Sequence, residues 1–242
     1  MITYASYTDV GDREKNEDSI ASLCDSNSGL FVLADGLGGH GKGEFASASV
    51  ITTSMQLYSD NKAGFSLDRS FEKAQEILLR EQQERNDLEG MKTTMVSLLI
   101  RNGAAKWAHI GDSRLYYFKK KKLVTRTLDH SVPQMLVAMG EIKEKDIRGH
   151  EDRNRLLRVM GSPWSERSYS VSNDIRLSKD SAFLLCSDGF WENIIEDDMM
   201  GCLRTASDVS LWLQMMAQIV KHNGRGKNMD NNSAIAVWFE KD

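Results

Sequence analysis

Short runs of β-branched and aromatic residues, many of them broken off at an aspartate, constrain this chain more than any other feature. They lie at residues 2–7, 19–24, 30–34, 94–100, 106–110, 115–119, 123–126, 182–186 and 233–239. Runs of that length, alternating or continuously apolar, read as strands buried on one face or both. Asn102-Gly103 falls between two of them and demands a tight hairpin turn, since both residue types accept positive φ. The sheet is therefore not purely parallel. Helical spacing of apolar residues appears over 44–58, over 67–88 (Leu67, Phe71, Ala74, Ile77, Leu78) and over 209–222 (Val209, Trp212, Met216, Ile219, Val220). Asp208 supplies an N-cap for the last and Gly224 a stop. Two helices early, one late and a long strand series between them predict an α+β sandwich, sheets packed together with helices outside.

The 242 residues include 31 Lys and Arg against 35 Asp and Glu, a formal charge of −4, which excludes a nucleic-acid grip built on bulk positive charge. At 40% hydrophobic and 27% charged residues, the chain can bury a proper core and is not globally disordered. Pro133 and Pro163 are its only prolines, and no Gly, Ser or Pro-rich linker divides it, so one domain over 1–242 is expected. No uncharged apolar run approaches the roughly 18 residues of a membrane helix. Residues 1–15 carry Asp9, Asp12 and Glu14 where a signal peptide needs an apolar stretch. The expectation is a cytoplasmic monomer with no membrane and no nucleic-acid partner. Cys24, Cys186 and Cys202 form no C-x-x-C pair and read as small buried hydrophobes in a reducing compartment. The lysine run at 119–122 reads as a solvated hairpin tip.

Asp35, Asp112 and Asp188 follow apolar runs, whereas Asp18 and Asp230 precede them. A sheet gathers its strand ends along one edge, so these carboxylates can converge although they are distant in sequence. Converging anions repel, and a cation must offset them. Oxygen-only donors select Mg²⁺ or Mn²⁺ over zinc, and His40, His109, His130, His150 and His222 show no paired metal spacing. One Asp-Gly pair, Asp35-Gly36 or Asp188-Gly189, needs no more than a turn to account for it. The whole set does, because a turn does not require an Asp each time an apolar run ends. Arg13, five residues before Asp18, has the planar fork that takes two phosphate oxygens at once; taken alone it is a surface charge. The stretch from Gly36 to Gly43 also fits G-x-G-x-x-G and G-x-x-x-x-G-K, which leaves a nucleotide-binding alternative. Against it, Gly43 stands where a phosphate loop needs Ser or Thr, Asp35 would face the nucleotide phosphates, and both nucleotide folds want a parallel sheet.

Eight motifs then follow one another along the chain. They are Thr8-Asp9-Val10-Gly11 through Asn16-Glu17-Asp18-Ser19; Val32-Leu33-Ala34-Asp35-Gly36-Leu37-Gly38-Gly39-His40 with Gly43-Glu44; Met91-Lys92-Thr93-Thr94; Ile110-Gly111-Asp112-Ser113-Arg114; Asp129-His130-Ser131; His150-Glu151-Asp152-Arg153-Asn154; Cys186-Ser187-Asp188-Gly189; and Asp230-Asn231. Their order resembles the metal-dependent serine/threonine protein phosphatases of type 2C, the PPM family, in compact bacterial form. The resemblance implies a central antiparallel β-sandwich flanked by helices on both sides, a metal cleft at one end, and a mobile flap at about 131–160. It implies that Asp35 bridges two Mn²⁺ or Mg²⁺ ions and that the Gly36 carbonyl binds one. Asp188 and Asp230 would complete the other site, and Asp112 with Asp188 would hold a weaker third ion. Asp18 and Glu17 would act through metal-bound water, and Arg13 would hold the substrate phosphate. Three departures stand out. Gly11 and Arg13 are closer together than usual, Leu37 replaces a histidine proposed elsewhere as general acid, and Lys92 replaces a glycine before Thr93-Thr94.

The chemistry expected of such a site is hydrolysis of phosphoserine and phosphothreonine by a hydroxide bridging two ions, with no covalent enzyme intermediate. The partners implied are phosphorylated proteins, products of a bacterial Ser/Thr kinase. With Leu37 unable to donate a proton, the leaving alkoxide would take one from water, or from His40 if His40→Ala slows turnover by more than about a hundredfold. Substrate choice is expected in 131–160, where Met135, Leu136, Met139, Ile142 and Ile147 accompany Arg148, Arg153, Arg155 and Arg158. Those arginines either read acidic phosphosegments or pair with Glu141, Glu144, Asp146 and Glu151. A phosphoprotein-binding pseudophosphatase is the other alternative, disfavoured because Asp18, Asp35, Asp112, Asp188 and Asp230 are all present.

Overall fold

The structure is a computed structural model that describes residues 1–37, 42–86, 90–164 and 166–239. β1 (Ile2–Asp9), β2 (Asp18–Cys24) and β3 (Gly29–Leu37) lead into α1 (Gly43–Asp60) and α2 (Leu67–Glu84). The short β4 (Lys92–Thr93) precedes β5 (Met95–Arg101), β6 (Ala104–Ile110), β7 (Arg114–Lys119) and β8 (Lys122–Arg126). α3 (Val132–Met139) and a 3-10 turn at Glu144–Gly149 follow, then β9 (Ser170–Val171), β10 (Ile175–Arg176) and β11 (Ser181–Cys186). α4 (Asp188–Trp191), α5 (Glu196–Thr205), α6 (Val209–Gly224) and β12 (Asn232–Phe239) complete the order.

The strands form two sheets, one ordered β1-β12-β11-β7-β8 and the other β10-β6-β5-β3-β2, with β4 and β9 attached to β3 and β6. Every pairing is antiparallel. That removes the parallel sheet on which both nucleotide-binding readings depend. Residues 38–41 of that glycine stretch, His40 among them, lie outside the described residues.

Burial explains the order. Phe31, Leu33, Val96, Leu98, Phe183, Leu185, Ile235 and Val237 point between the sheets and form the inner core. The outward residues of the same strands meet α1 and α2 on one side, through Leu30, Val32, Val50, Phe71 and Leu78. On the other side Leu184, Ala234 and Ala236 meet α5 and α6, through Met199, Trp212 and Met216. Inner strands are thus apolar on both faces, whereas β1 at a sheet edge alternates buried with exposed. Helices flank the sandwich on both sides, as expected.

Turn chemistry holds as read. Asn102 and Gly103 have φ of 54° and 70°, and Lys120 and Lys121 at the lysine tip have 49° and 59°, both two-residue hairpin turns. Asp208 caps α6 by accepting from the Leu211 N–H at 2.9 Å. α2 stops at Glu84 rather than near 88, and residues 87–89 lie outside the described residues. β4, β9 and β10 are two residues each and α4 a single turn, too short to leave a period. α5 went unread in the sequence, although its acidic first turn, Glu196, Asp197 and Asp198, suits a helix N-terminus. Among the described residues no helix is long and apolar enough to cross a membrane, and the three cysteines are free thiols.

Candidate metal centre

Asp18 opens β2 and stands directly opposite Asp35 of β3 in the antiparallel register. Asp35 is thus within a strand, not in a turn after it. Two carboxylates facing each other across strands repel, and the sheet accepts this only if something else stabilises the pair. Asp188 begins α4 immediately after β11, Asp112 lies in the turn between β6 and β7, and Asp230 sits just before β12. Asp18 and Asp35 belong to one sheet, Asp188 and Asp230 flank strands of the other, and Asp112 lies in the turn that joins the two, so the carboxylates meet where the two sheets end together. Asp35, Asp112, Asp188 and Asp230 line one open cleft of about 760 Å³ with Arg13, Glu17, Gly36 and Leu37. Asp18 does not line it and is buried beside Asp35.

Burial, and then the neighbouring carboxylates, push Asp35 and Asp112 well above the usual carboxylate range. Asp188 rises to about 6, through burial and the charge of Asp230, although it shares a hydrogen bond with Asp35. Asp18 rises to about 7 through burial, restrained by the Ser233 and Ser187 side chains. Glu17 is raised by burial and by Glu44. Arg13 is the cation of the cleft that engages this set: its Nε and Nη2 donate to the two Asp230 oxygens at 3.0 and 2.8 Å. One fork does not balance so many carboxylates.

The site fits divalent ions on three counts. Its donors are oxygens. Asp18 Oδ1 is buried with no hydrogen-bond partner among the described residues. A Cβ on Gly36 would lie 2.4 Å from the backbone of Gly43, so only glycine lets these segments close beside the carboxylates. The carboxylates ring the cleft, and among the described residues no three of them close on one point. An ion there takes part of its shell from water and backbone carbonyl, as Mg²⁺ and Mn²⁺ do.

Residues that stand in the motifs without an assigned role, with Ser233 and Trp191 beyond them, hold these groups. The Asp35 N–H donates to Thr94 Oγ1 at 3.0 Å, and Thr93 Oγ1 donates to the Asp35 carbonyl at 2.8 Å, so the Thr-Thr pair clamps the Asp35 backbone. Ser187 Oγ donates to Asp18 Oδ2 at 2.8 Å and accepts from the Ser233 N–H at 2.9 Å. Asn231 accepts from the Glu17 N–H and donates to the Val10 and Lys15 carbonyls, fixing the Arg13 loop. Gly11, at φ +63°, lets that loop pass so near the Asp230 carbonyl that a Cβ would stand 2.4 Å from it. Trp191 Nε1 donates to the Asp112 carbonyl at 3.0 Å, and the Arg114 guanidinium lies 3.4 Å from the Trp191 ring centroid. A fully buried Arg and a Trp so far apart in sequence give no such signal until the fold places them together. Leu37 ends β3 on the cleft and pairs with Lys92.

Three of the four arginines singled out in 131–160 are held, but not by the partners expected. Arg148 reaches Glu196 and the Trp191 and Ile194 carbonyls, Arg153 reaches Glu192, and Arg155 reaches Asp152, while Glu144 pairs with Arg126. Arg148 and Arg153 thus tie the segment to residues 191–196.

A sequence profile described as protein phosphatase 2C matches residues 9–232. The chain belongs to the protein phosphatase 2C family. Among its relatives, the serine/threonine protein phosphatase PstP of Mycobacterium tuberculosis is 30% identical over 208 residues, which are 84% of this chain and 39% of that protein. The chain thus spans about two-fifths of that relative's length. The crystal structure of the same M. tuberculosis phosphatase superposes with a TM-score of 0.86 at 28% identity, covering 99% of each chain. The catalytic domain of PstP in complex with 2 manganese ions gives a TM-score of 0.84 at 27% identity, again over 99% of each chain. In this protein phosphatase 2C chain, the carboxylate cleft lies where the two sheets end together.

Proposed function

We propose that this chain is a metal-dependent protein serine/threonine phosphatase, hydrolysing phosphoserine and phosphothreonine in proteins phosphorylated by a bacterial kinase. The observation that carries the reading is the convergence of Asp35, Asp112, Asp188 and Asp230 on one cleft that Arg13 also enters. PstP, a family member, holds two manganese ions in its catalytic domain. By analogy, Asp35 and the Gly36 carbonyl would hold one Mn²⁺ or Mg²⁺, Asp35 with Asp188 and Asp230 the other, and Asp112 with Asp188 a weaker third. Such ions supply neutralisation of phosphoryl charge and acidification of water.

The protein's own groups do the rest. Asp18, beside Asp35 and steadied by Ser187, would keep negative potential behind bound ions and support the site through water. Glu17 plays the same part at the rim. Arg13, whose fork lies on Asp230, is placed to turn two N–H donors onto the phosphate oxygens and orient the ester. Leu37 offers no proton, so solvent protonates the departing alkoxide. The segment 131–160 serves as the flap, and residues 1–242 act as one catalytic unit.

The test is hydrolysis of p-nitrophenyl phosphate and of a phosphothreonine peptide with Mn²⁺, with EDTA, and with Asp188→Ala. Turnover that neither EDTA nor the substitution leaves intact is expected. Phosphopeptide binding without turnover in the Mn²⁺-loaded wild type would favour the pseudophosphatase instead.

A further inference from the structure

A second cavity, of about 630 Å³, opens at the lateral edge of the sandwich between β6 and β8, with α3 beside it. It shares a wall with the cleft: Asn154 and Leu156 line the cleft, whereas Leu157 and Arg158 line the edge pocket. That wall is pinned, since the Leu157 N–H donates to the His130 carbonyl at 2.8 Å and Val132 N–H to the Arg155 carbonyl at 2.9 Å.

The pocket has two properties that together describe an occupant. Leu128, Met135 and Leu157 expose 59%, 43% and 52% of their surface around it, a cluster of large apolar side chains left at one place on the surface. Arg158 is exposed and has no ion-pair partner among the described residues. The nearby Asp129 is already taken by Arg114 at 2.7 Å and Arg126 at 3.6 Å. Exposed apolar side chains and an unpaired guanidinium match a peptide with a large apolar side chain and an acidic neighbour. The shared wall places that peptide in line with the cleft.

We propose that the edge pocket is a docking site for the phosphoprotein itself, receiving a large apolar side chain while an adjacent acidic residue meets Arg158. The inference rests on the phosphatase reading and adds to it a sequence preference carried by leucines. Arg148, Arg153 and Arg155 are engaged elsewhere and leave this role to Arg158.

The experiment uses phosphothreonine peptides in an alanine background, with one leucine walked through the flanking positions and a glutamate beside it or absent. Wild type with Mn²⁺ is expected to prefer leucine at one position by at least about tenfold in kcat/KM. In Leu128→Asp and Leu157→Asp, both at exposed positions that the fold tolerates, that ratio falls to within about twofold, chiefly through KM. Arg158→Ala removes the glutamate effect alone. No leucine preference in wild type, or one that persists in both variants, overturns the proposal. A concentration-dependent dimer that Leu157→Asp dissociates would assign the pocket to a second copy, with the same result. Lack of Mn²⁺-dependent turnover even on p-nitrophenyl phosphate would reject the phosphatase reading, and this inference with it.

Discussion

Ser187 bridges Asp18 Oδ2 and the Ser233 N–H, two groups that have left water entirely. Ser187→Ala strands both, and a stability loss of about 2–4 kcal/mol in urea melts is expected from two unpaired buried groups. Arg13 acts differently. Its pair with Asp230 is nearly half exposed and adds little stability, so Arg13→Ala is expected to leave the melt unchanged and lower kcat/KM on p-nitrophenyl phosphate about 100-fold. Arg13→Lys restores little, because an ammonium cannot span two phosphate oxygens. His130, stacked on His109 at 4.7 Å, has its pKa lowered to about 3 by burial and by the charges of His109 and Arg158. The folded state therefore refuses a proton that the unfolded chain accepts below about 6.5, so this histidine's contribution is full above that pH and is lost as pH falls toward 3. The raised Asp18 and Asp188 titrate with the opposite sign, so the reading must be a difference. Between pH 6.5 and 4, wild type is expected to lose up to about 1.4 kcal/mol per pH unit relative to His130→Asn, measured by urea melts in EDTA.

At the scale of elements, α4 matters beyond its one turn. It carries Asp188 at its first residue and Trp191 at its last, and Trp191 holds the Asp112 carbonyl while Arg148 holds the Trp191 carbonyl. Trp191→Phe keeps the ring and removes the N–H; Mn²⁺ titration by calorimetry is expected to show weaker binding at a site that includes Asp112, with the stronger ions unaffected. The sequence made the long elements legible because residues such as Phe71, Ala74 and Leu78, or Val209, Trp212 and Met216, repeat a period over several turns. It made the aspartates legible because each stands where such a pattern breaks. The roles of Ser187, Asn231 and Trp191 were silent for the opposite reason: each acts through hydrogen bonds to residues far away in sequence, and no spacing encodes that. Arg148 and Arg153 were misjudged in partner for the same cause, since Glu196 and Glu192 lie far from them in sequence.

For the whole molecule, the sheets are held together by the inner core of Phe31, Leu98, Phe183 and Val237, and the cleft draws on both of them. Ions bound there tie one sheet to the other at its most repulsive point. At a Mn²⁺ concentration of about 100 Kd, a stabilisation of about 2.7 kcal/mol is expected, or a rise in Tm of about 5–10 °C. Asp35→Asn abolishes that rise and is itself more stable than wild type in EDTA, because it removes one of the opposed charges; differential scanning fluorimetry reads both. The Asp18–Asp35 pairing carries one more consequence. Both residues lie on arms of a single hairpin, from Asp18 to Cys24 and from Gly29 to Asp35, joined by residues 25–28. Strand side chains alternate from face to face, so losing a single amino acid from either arm turns one aspartate toward the opposite surface while leaving the ladder intact. Descendants of this gene can lengthen the loop at 25–28, but indels within either arm survive selection only in even numbers or in matched pairs.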